Sequence, residues 1–343
     1  MNRRVTQKDI ARRLELDKST VSLALRNHPT IADATREKVQ AMAQQMGYRP
    51  DPALATLSRQ RWAGHETGSG AALAYLIDSR MENHVMHRRF LASARQRAEE
   101  RGYLLRDFDL ADYTSIDAAS RVLHHRGFRG LLVPQFANTK GPSILDLPAD
   151  NFTVVCLDVG WIEVPFHIVA PDTFRATRLV WRKVIDRGYR RIGGAILSHT
   201  PRAFDDAARL GASTVSQQEW LRPRDRIPLL ASDPRDRESF VRWLDRYDPD
   251  VVIGFVSRVH EWILSTGRRV PEDIGFAALS VVTTESPLLS GVQRQEANIG
   301  AVGVDALIAA MNENEWGWPE LQRKLLVAPR WNEGATLPDR SAR

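Results

Sequence analysis

The chain has 343 residues, 48 Lys and Arg against 42 Asp and Glu, 43% hydrophobic residues and one cysteine. This composition excludes a disulfide scaffold, a cysteine metal cluster, and a disordered or fibrous chain, and no segment approaches the roughly 18 consecutive apolar residues of a membrane helix. The charge is unevenly spread: residues 1–61 hold 12 basic and 6 acidic side chains and the rest holds 36 of each, so the whole excess of +6 lies near the N-terminus. A basic head on a neutral body predicts a polyanionic partner, because neutralising phosphates releases counterions and drives nucleic-acid binding. A solvated basic surface without a partner is the competing reading of charge alone. The polar stretch Met1–Asp9 lacks the apolar run of a secretory signal, which predicts a cytoplasmic address.

In chain order, Thr6 and Asp9 have capping-box spacing and predict the start of a first helix, with Ile10, Ala11 and Leu14 on its inner face. Glu15 to Asp17 is a short break, and Asp17 is a good N-cap for a second helix over 18–26 with Val21, Ala24 and Leu25 inward and Lys18, Ser19, Ser22 and Leu23 outward. A third helix is predicted from about Asp33 to Met46, closed by Gly47 and by Pro50 and Pro52. Two short helices joined by so short a turn fit the helix-turn-helix, whose second helix enters the major groove. A protein-binding three-helix bundle has the same periodicity.

From residue 71 onward apolar runs alternate with amphipathic stretches. The runs 71–77, 130–134, 153–157, 192–197, 251–255 and 274–279 predict buried parallel strands, and 89–101, 173–187 and 300–311 predict helices, a doubly wound α/β layout. Ligands in such folds lie beyond the carboxyl ends of strands. The candidate contacts are therefore Asp78, Ser79, Arg80, Gln135, Asp158, Ser198 and His199, each with helix capping as its competing role. Cys156, inside the apolar run 152–157, is expected to be a buried structural thiol. His124 and His125 are expected at the surface. The neighbouring pair Asp205 and Asp206 is expected in a solvated loop or helix start.

No enzyme constellation is evident: the sequence has no GxGxxG opening a helix, no Walker lysine loop, no HExxH and no nucleophile elbow. The expectation is no enzyme, no cofactor and no catalytic or metal site.

The residues Val5, Thr6, Gln7, Lys8, Asp9, Ile10 and Ala11, then Ser19, Thr20, Val21 and Ser22, Leu25, Asn27, Thr35, Arg36 and Glu37, and finally 47–52 (GYRPDP), resemble the DNA-binding head of the LacI/GalR family in order and spacing. That resemblance implies a division into a head (1–49), a hinge helix (50–62), a linker (63–70) and a ligand-binding and dimerisation core (71–343) whose lobes exchange near 160–170. It places Lys18, Ser19 and Leu23 at positions that read base edges. Leu23 stands where an arginine is common, and leucine offers a guanine nothing but could touch a thymine methyl. Thr6, Thr20, Ser22, Asn27 and Tyr48 match phosphate contacts, with capping or packing as the alternative for each. Leu57 matches the leucine that a hinge helix wedges into the minor groove, and Leu54 stands where the family usually has a small residue.

The core resembles the family at 185–193 (IDRGYRRIG) and 269–275 (RVPEDIG), which implies a two-lobed periplasmic-binding-protein-like fold with parallel sheets. Asp172 matches an acidic position beside the cleft. Departures fall in the cleft: Val256, Ser257 and Arg258 stand where an Asn-Asp pair is usual, Leu279 and Ser280 where an aspartate pair is expected, and Arg202 and Arg209 are the nearest arginines before Gly211. The effector cleft is accordingly predicted from Asp78, Arg80, Gln135, Asp158, Asp172 and Arg202. The resemblance implies a double-stranded DNA operator, a homodimer and a small-molecule effector, with a sugar only one option. The competing functions are a regulator whose core only dimerises and a core with hydrolytic activity. No heptad pattern at 336–343 suggests an added coiled coil.

Overall fold

The structure is a computed structural model describing residues 5–25, 31–46, 48, 72–80, 84–134, 146–158, 163–196, 204–233, 235–281 and 288–341. The predicted hinge and linker lie outside these residues. The head comprises α1 (Gln7–Leu14), α2 (Lys18–Ala24) and α3 (Asp33–Gln45). Asp9 closes the first turn of α1 as its spacing predicts, one carboxylate oxygen accepting from the Thr6 backbone N–H at 2.9 Å and from its hydroxyl at 2.6 Å. Helix α2 ends at Ala24, before the expected 26. Ile10, Ala11, Val21, Ala24, Val39 and Ala43 form the head's buried centre, with Leu14, Leu25, Met42, Met46 and Tyr48 around it.

The turn between α1 and α2 is made by Glu15 in the left-handed conformation, φ 55 and ψ 38. Such turns often use glycine, because a Cβ crowds the following carbonyl there.

The core begins with β1 (Ala72–Ile77), α4 (His84–Glu100), β2 (Leu104–Asp109), α5 (Ile116–His125), β3 (Gly130–Pro134), β4 (Thr153–Leu157) and β5 (His167–Pro171). It continues with α6 (Thr173–Asp186), β6 (Ile192–Gly194), α7 (Phe204–Trp220), α8 (Arg237–Tyr247), β7 (Val251–Gly254), α9 (Glu261–Ser265), β8 (Gly275–Ala278) and β9 (Gly291–Gln293). It ends with α10 (Glu296–Glu313), β10 (Lys324–Val327) and β11 (Arg330–Asn332). Two sheets result. The first has the order β10-β5-β4-β3-β1-β2 and is wholly parallel; the second is β11-β9-β8-β7-β6, parallel except for antiparallel β11.

The chain therefore passes between lobes three times: at Asp172, at Arg294 and Gln295, and at Ala328 and Pro329. The first passage follows β5, just beyond the 160–170 expected, because β5 still belongs to the first sheet. The strands are covered on both faces, as parallel sheets require. Along β1, Leu73 and Tyr75 join the cluster with Phe90, Ile299 and Leu307, while Ala74 and Leu76 join Phe108, Leu123 and Phe128 on the other side. Burial pushes the Cys156 thiol up to about 12, which fits the structural role expected of it.

Helix α10 returns from the second lobe to cover the first sheet, and two small residues let it approach. A Cβ at Gly300 would lie 1.9 Å from the Phe90 carbonyl oxygen of α4, and one at Gly303 would lie 2.4 Å from Leu157 Cδ2 of β4. The first obstacle is backbone and cannot turn aside. Gly300→Ala is therefore expected to destabilise the first lobe by about 2–3 kcal/mol, read from the midpoint of urea unfolding at unchanged m-value. Glu15→Gly should do the opposite in the head, adding about 1 kcal/mol. Slower hydrogen exchange across α1–α3 of the full chain is the check, and unchanged exchange would show that the Glu15 turn carries no strain.

Candidate nucleic-acid interface and interlobe site

The head holds α2 by its inner face. Val21 and Ala24 are fully buried, which turns Lys18 and Ser19 fully outward and leaves Thr20, Ser22 and Leu23 half-buried at the edges of the same exposed strip. Lys18 and Ser19 are the first two residues of the helix, the end that base-reading helices present to the groove. The exposed Lys8, Arg12 and Arg13 of α1 add positive charge. Thr6 donates its hydroxyl proton to Asp9, so a phosphate contact from Thr6 must break that bond. Tyr48 packs partly against the head core and donates its backbone N–H to Ala43 at 2.9 Å. Asn27, Leu54 and Leu57 lie outside the described residues.

In the core, the described polar strand ends are occupied by their own neighbours. Asp78, 4% exposed, accepts two bonds from Arg80, from Nε and Nη2 at 2.7 Å each. Ser79 donates its backbone N–H to Asp109 at 3.1 Å. Asp172 caps α6 by accepting from Arg175 N–H at 3.0 Å, the alternative role weighed for such residues. Gln135, Ser198, His199 and Arg202 lie outside the described residues.

Among the predicted cleft residues that are described, Asp158 joins a larger cluster, and its partners are ones that sequence reasoning did not select. Arg294, at the second passage between lobes, lies with Nη2 2.8 Å from Asp205 Oδ2 and 3.5 Å from Asp158 Oδ1. Arg209 Nη2 reaches the same Asp205 oxygen at 2.7 Å, and its Nη1 lies 3.4 Å from Asp206. Thr173, the first residue of α6, donates its hydroxyl to the other Asp205 oxygen at 2.8 Å. Arg209 also lies over the Phe255 ring, 4.9 Å from its centre.

Asp205 and Asp206 thus stand in the first turn of α7, where a helix start was one expectation, but they are buried and ion-paired rather than solvated. Carboxylates suit a helix N-terminus and sit one turn from Arg209, an i,i+4 and i,i+3 arrangement visible in the sequence. Arg294 had no such signal, since its partners are 89 and 136 residues away. Burial lowers the Arg209 pKa, and the nearby carboxylates, Asp205 foremost, oppose that shift. His124 and His125 end α5 and, as expected, are not buried. Among the described residues no group of three or more His, Cys, Asp or Glu side chains is arranged to hold a metal ion.

A three-helix head bearing an outward recognition-type helix, on two α/β lobes linked by three passages, defines a class: helix-turn-helix transcription regulators with a periplasmic-binding-protein-like core. Residues 6–51 match the family model described as bacterial regulatory proteins, lacI family. Three solved structures show the similarity of the fold. The transcriptional regulator CelR in complex with cellobiose is 18% identical, over 97% of this chain and 100% of that one, with a TM-score of 0.58. The lac repressor dimer bound to operator and the anti-inducer ONPF is 17% identical over 98% and 100%, with a TM-score of 0.52. A regulatory protein of the LacI family from Chloroflexus aggregans is 21% identical over 77% and 99%, with a TM-score of 0.59. No curated protein matches the sequence significantly. Residues 6–51 thus carry the DNA-binding head of the lacI family, and the chain as a whole shares the fold of LacI-family transcription regulators.

The buried pair sets a stability test. Arg209→Met takes the shared cation from Asp205, which keeps Arg294, and from Asp206, and is expected to cost about 2–4 kcal/mol. Arg182→Met, which removes an exposed pair with Asp186, should cost less than about 1 kcal/mol. Equal costs in urea titrations would mean that the Asp205 cluster contributes nothing special to the second lobe.

Proposed function

We propose that the protein acts in the cytoplasm as a homodimer on a palindromic operator, and that a small-molecule effector bound between the lobes controls its affinity for DNA. The observation that carries the DNA half is the exposed N-terminal end of α2, Lys18 and Ser19, within the first 61 residues, which hold the chain's whole excess of positive charge. One such head buries little DNA surface, whereas two on half-sites about one helical turn apart gain affinity through a shared body. Lys18, Ser19 and Leu23 read bases, Thr20, Ser22, Asn27 and Tyr48 hold phosphates, and Thr6 does so once released from Asp9. Leu57, with Leu54 beside it, enters the minor groove from the hinge. With Leu23 in place of a guanidinium, the operator differs from those in which an arginine grips guanine.

For the effector, the similar folds supply the analogy: CelR is described with cellobiose, and a LacI-family regulator from Enterococcus faecium with ribose. A sugar or another polyol is the first class to test here. A second reading, a core that dimerises and takes no effector, draws support from the pairing of Asp78 with Arg80 and of Asp158 with Arg294, which occupies groups that would otherwise hold hydroxyls. Thermal-shift titration against sugars, polyols and purines separates the two. A saturable shift that also changes operator affinity supports the effector, and a flat panel supports the second reading.

Selection of genomic fragments by the purified protein at stated salt tests the DNA half. A compact palindrome should emerge, and Lys18→Ala and Leu57→Ala should each weaken binding to it by about tenfold or more, the scale of a lost base contact or wedge. Leu23→Arg should shift the preferred base at one position of each half-site towards guanine. Salt-sensitive binding without any preferred sequence would leave the head an architectural element and defeat the reading.

A further inference from the structure

Five non-glycine residues among those described have positive φ, and they fall into two sets. Glu15, Asp248 and Asn314 end α1, α8 and α10, where a left-handed residue is an ordinary way for a helix to stop. Asp158 (φ 71) and Gln295 (φ 59) end no helix. Asp158 follows β4 of the first lobe, and Gln295 lies on the second passage between lobes. Strained backbone persists only where surrounding structure enforces it. Both residues adjoin Arg294, next in sequence to Gln295 and ion-paired to Asp158.

We infer that Arg294 is an interlobe clasp that sets the angle between the two lobes. Arg294 continues β9 of the second lobe and is anchored there by the 2.8 Å bond to Asp205. Asp205 is itself fixed by Arg209 and Thr173, so this anchor does not depend on the first lobe. The 3.5 Å pair to Asp158 crosses from the second lobe to the first. The three side chains Asp158, Asp205 and Arg294 are only 11–12% exposed, so solvent screens these charges weakly. Rotation that closes the lobes shortens the crossing pair, and rotation that opens them breaks it.

The charge count gives the clasp its direction. Among the described residues, the carboxylates of Asp158, Asp205 and Asp206 gather around the guanidinium groups of Arg209 and Arg294. Removing Arg294 takes away the cation that lies between Asp158 on one lobe and Asp205 on the other, and the repulsion between these two carboxylates then favours opening. Removing the Asp158 charge as well relieves that repulsion. A purely local packing role for Arg294 has no reason to respond to Asp158 in this way. The consequence for DNA rests on the proposed reading that lobe geometry governs operator affinity, whereas the clasp itself is a property of the core.

The experiment is a double-mutant cycle in the full-length protein, read by hydrogen exchange along the seam (153–158 and 291–297) and by operator affinity. Arg294→Gln should speed seam exchange by about tenfold while β1 and β7 stay protected. Adding Asp158→Asn should recover part of that change, a factor of about three, so that the double variant is slower than the single. Asparagine tolerates the left-handed backbone, so Asp158→Asn alone is expected to fold and to loosen the seam less than Arg294→Gln does. Arg294→Lys keeps the charge and should stay closer to the wild type than Arg294→Gln. Seam exchange unchanged in Arg294→Gln, or a double variant faster than the single, overturns the clasp. Seam changes as expected with operator affinity unmoved would leave the clasp standing and defeat the reading that lobe geometry controls DNA binding. Should Arg294→Gln not fold, unchanged seam exchange in Asp158→Asn overturns the clasp and faster exchange supports it.

Discussion

A parallel strand buried on both faces needs helices on both, and in this chain the first sheet obtains part of its cover only after the second lobe has been built. Helix α10 follows β9 of the second sheet and then lies against α4 and β4 of the first, at a separation that Gly300 and Gly303 make available. β10 then adds a strand to the first sheet before β11 returns to the second. Neither lobe is therefore a contiguous stretch of chain. Each depends on segments that have passed through the other, and three short passages concentrate any relative motion into a few residues at the seam. Such element-terminal positions are where hinge motion between domains is usually absorbed.

This architecture puts the strand ends of both sheets near the passages, which is where a cleft would be sought in any open α/β fold. The described side chains found there are already paired. Asp78 is held by Arg80, and Asp158, Asp205 and Asp206 share Arg209 and Arg294. A buried carboxylate without a cation would cost several kcal/mol, whereas the paired cluster is close to neutral in net worth. Its value is directional: charges at short range tolerate few arrangements, so the cluster fixes geometry more than it adds stability. A ligand entering beside it must either leave these pairs intact, donating and accepting at the oxygens that remain, or supply charges of its own to replace them. Neutral polyhydroxy compounds suit the first course and charged metabolites the second.

The sequence was legible where local pattern and burial agreed. The runs at 130–134 and 153–157 match β3 and β4 to the residue, because both faces of these central strands are buried and every position but Thr153 is apolar. β2, with the sequence LLRDFD, carries charges at its exposed positions and lies at a sheet edge, while β10 has two exposed leucines, so neither reads as a continuous buried run. β9 and β11 are three residues each, too short for any periodicity to register. Helix α7 escaped for the opposite reason: its inner face carries Asp205, Asp206, Arg209, Ser213, Ser216 and Gln217, polar residues that a hydrophobic pattern assigns to solvent. The head was the most legible part, since caps, turn and core positions in a small domain all lie within a few residues of one another. The interlobe cluster was the least, being assembled from residues 158, 205, 209 and 294, which only the completed topology brings together.

The two ends of the molecule use charge in opposite ways, and the difference follows from solvent. On the head, Lys18 and the arginines of α1 stand in water, where pairwise attraction is weak and salt-screened and the gain on meeting DNA comes largely from released counterions. Such charges confer affinity but little geometry, so discrimination between sequences falls to the groups at base edges. At the seam, Arg209 and Arg294 are removed from water, where attraction is strong but must first repay desolvation, and the net return is orientation. A regulator needs both: a head that finds DNA by charge and a core whose few buried charges prefer one lobe angle over another. Because Arg294 is shared between a carboxylate of each lobe, a change in which of the two it favours bears directly on the lobe angle.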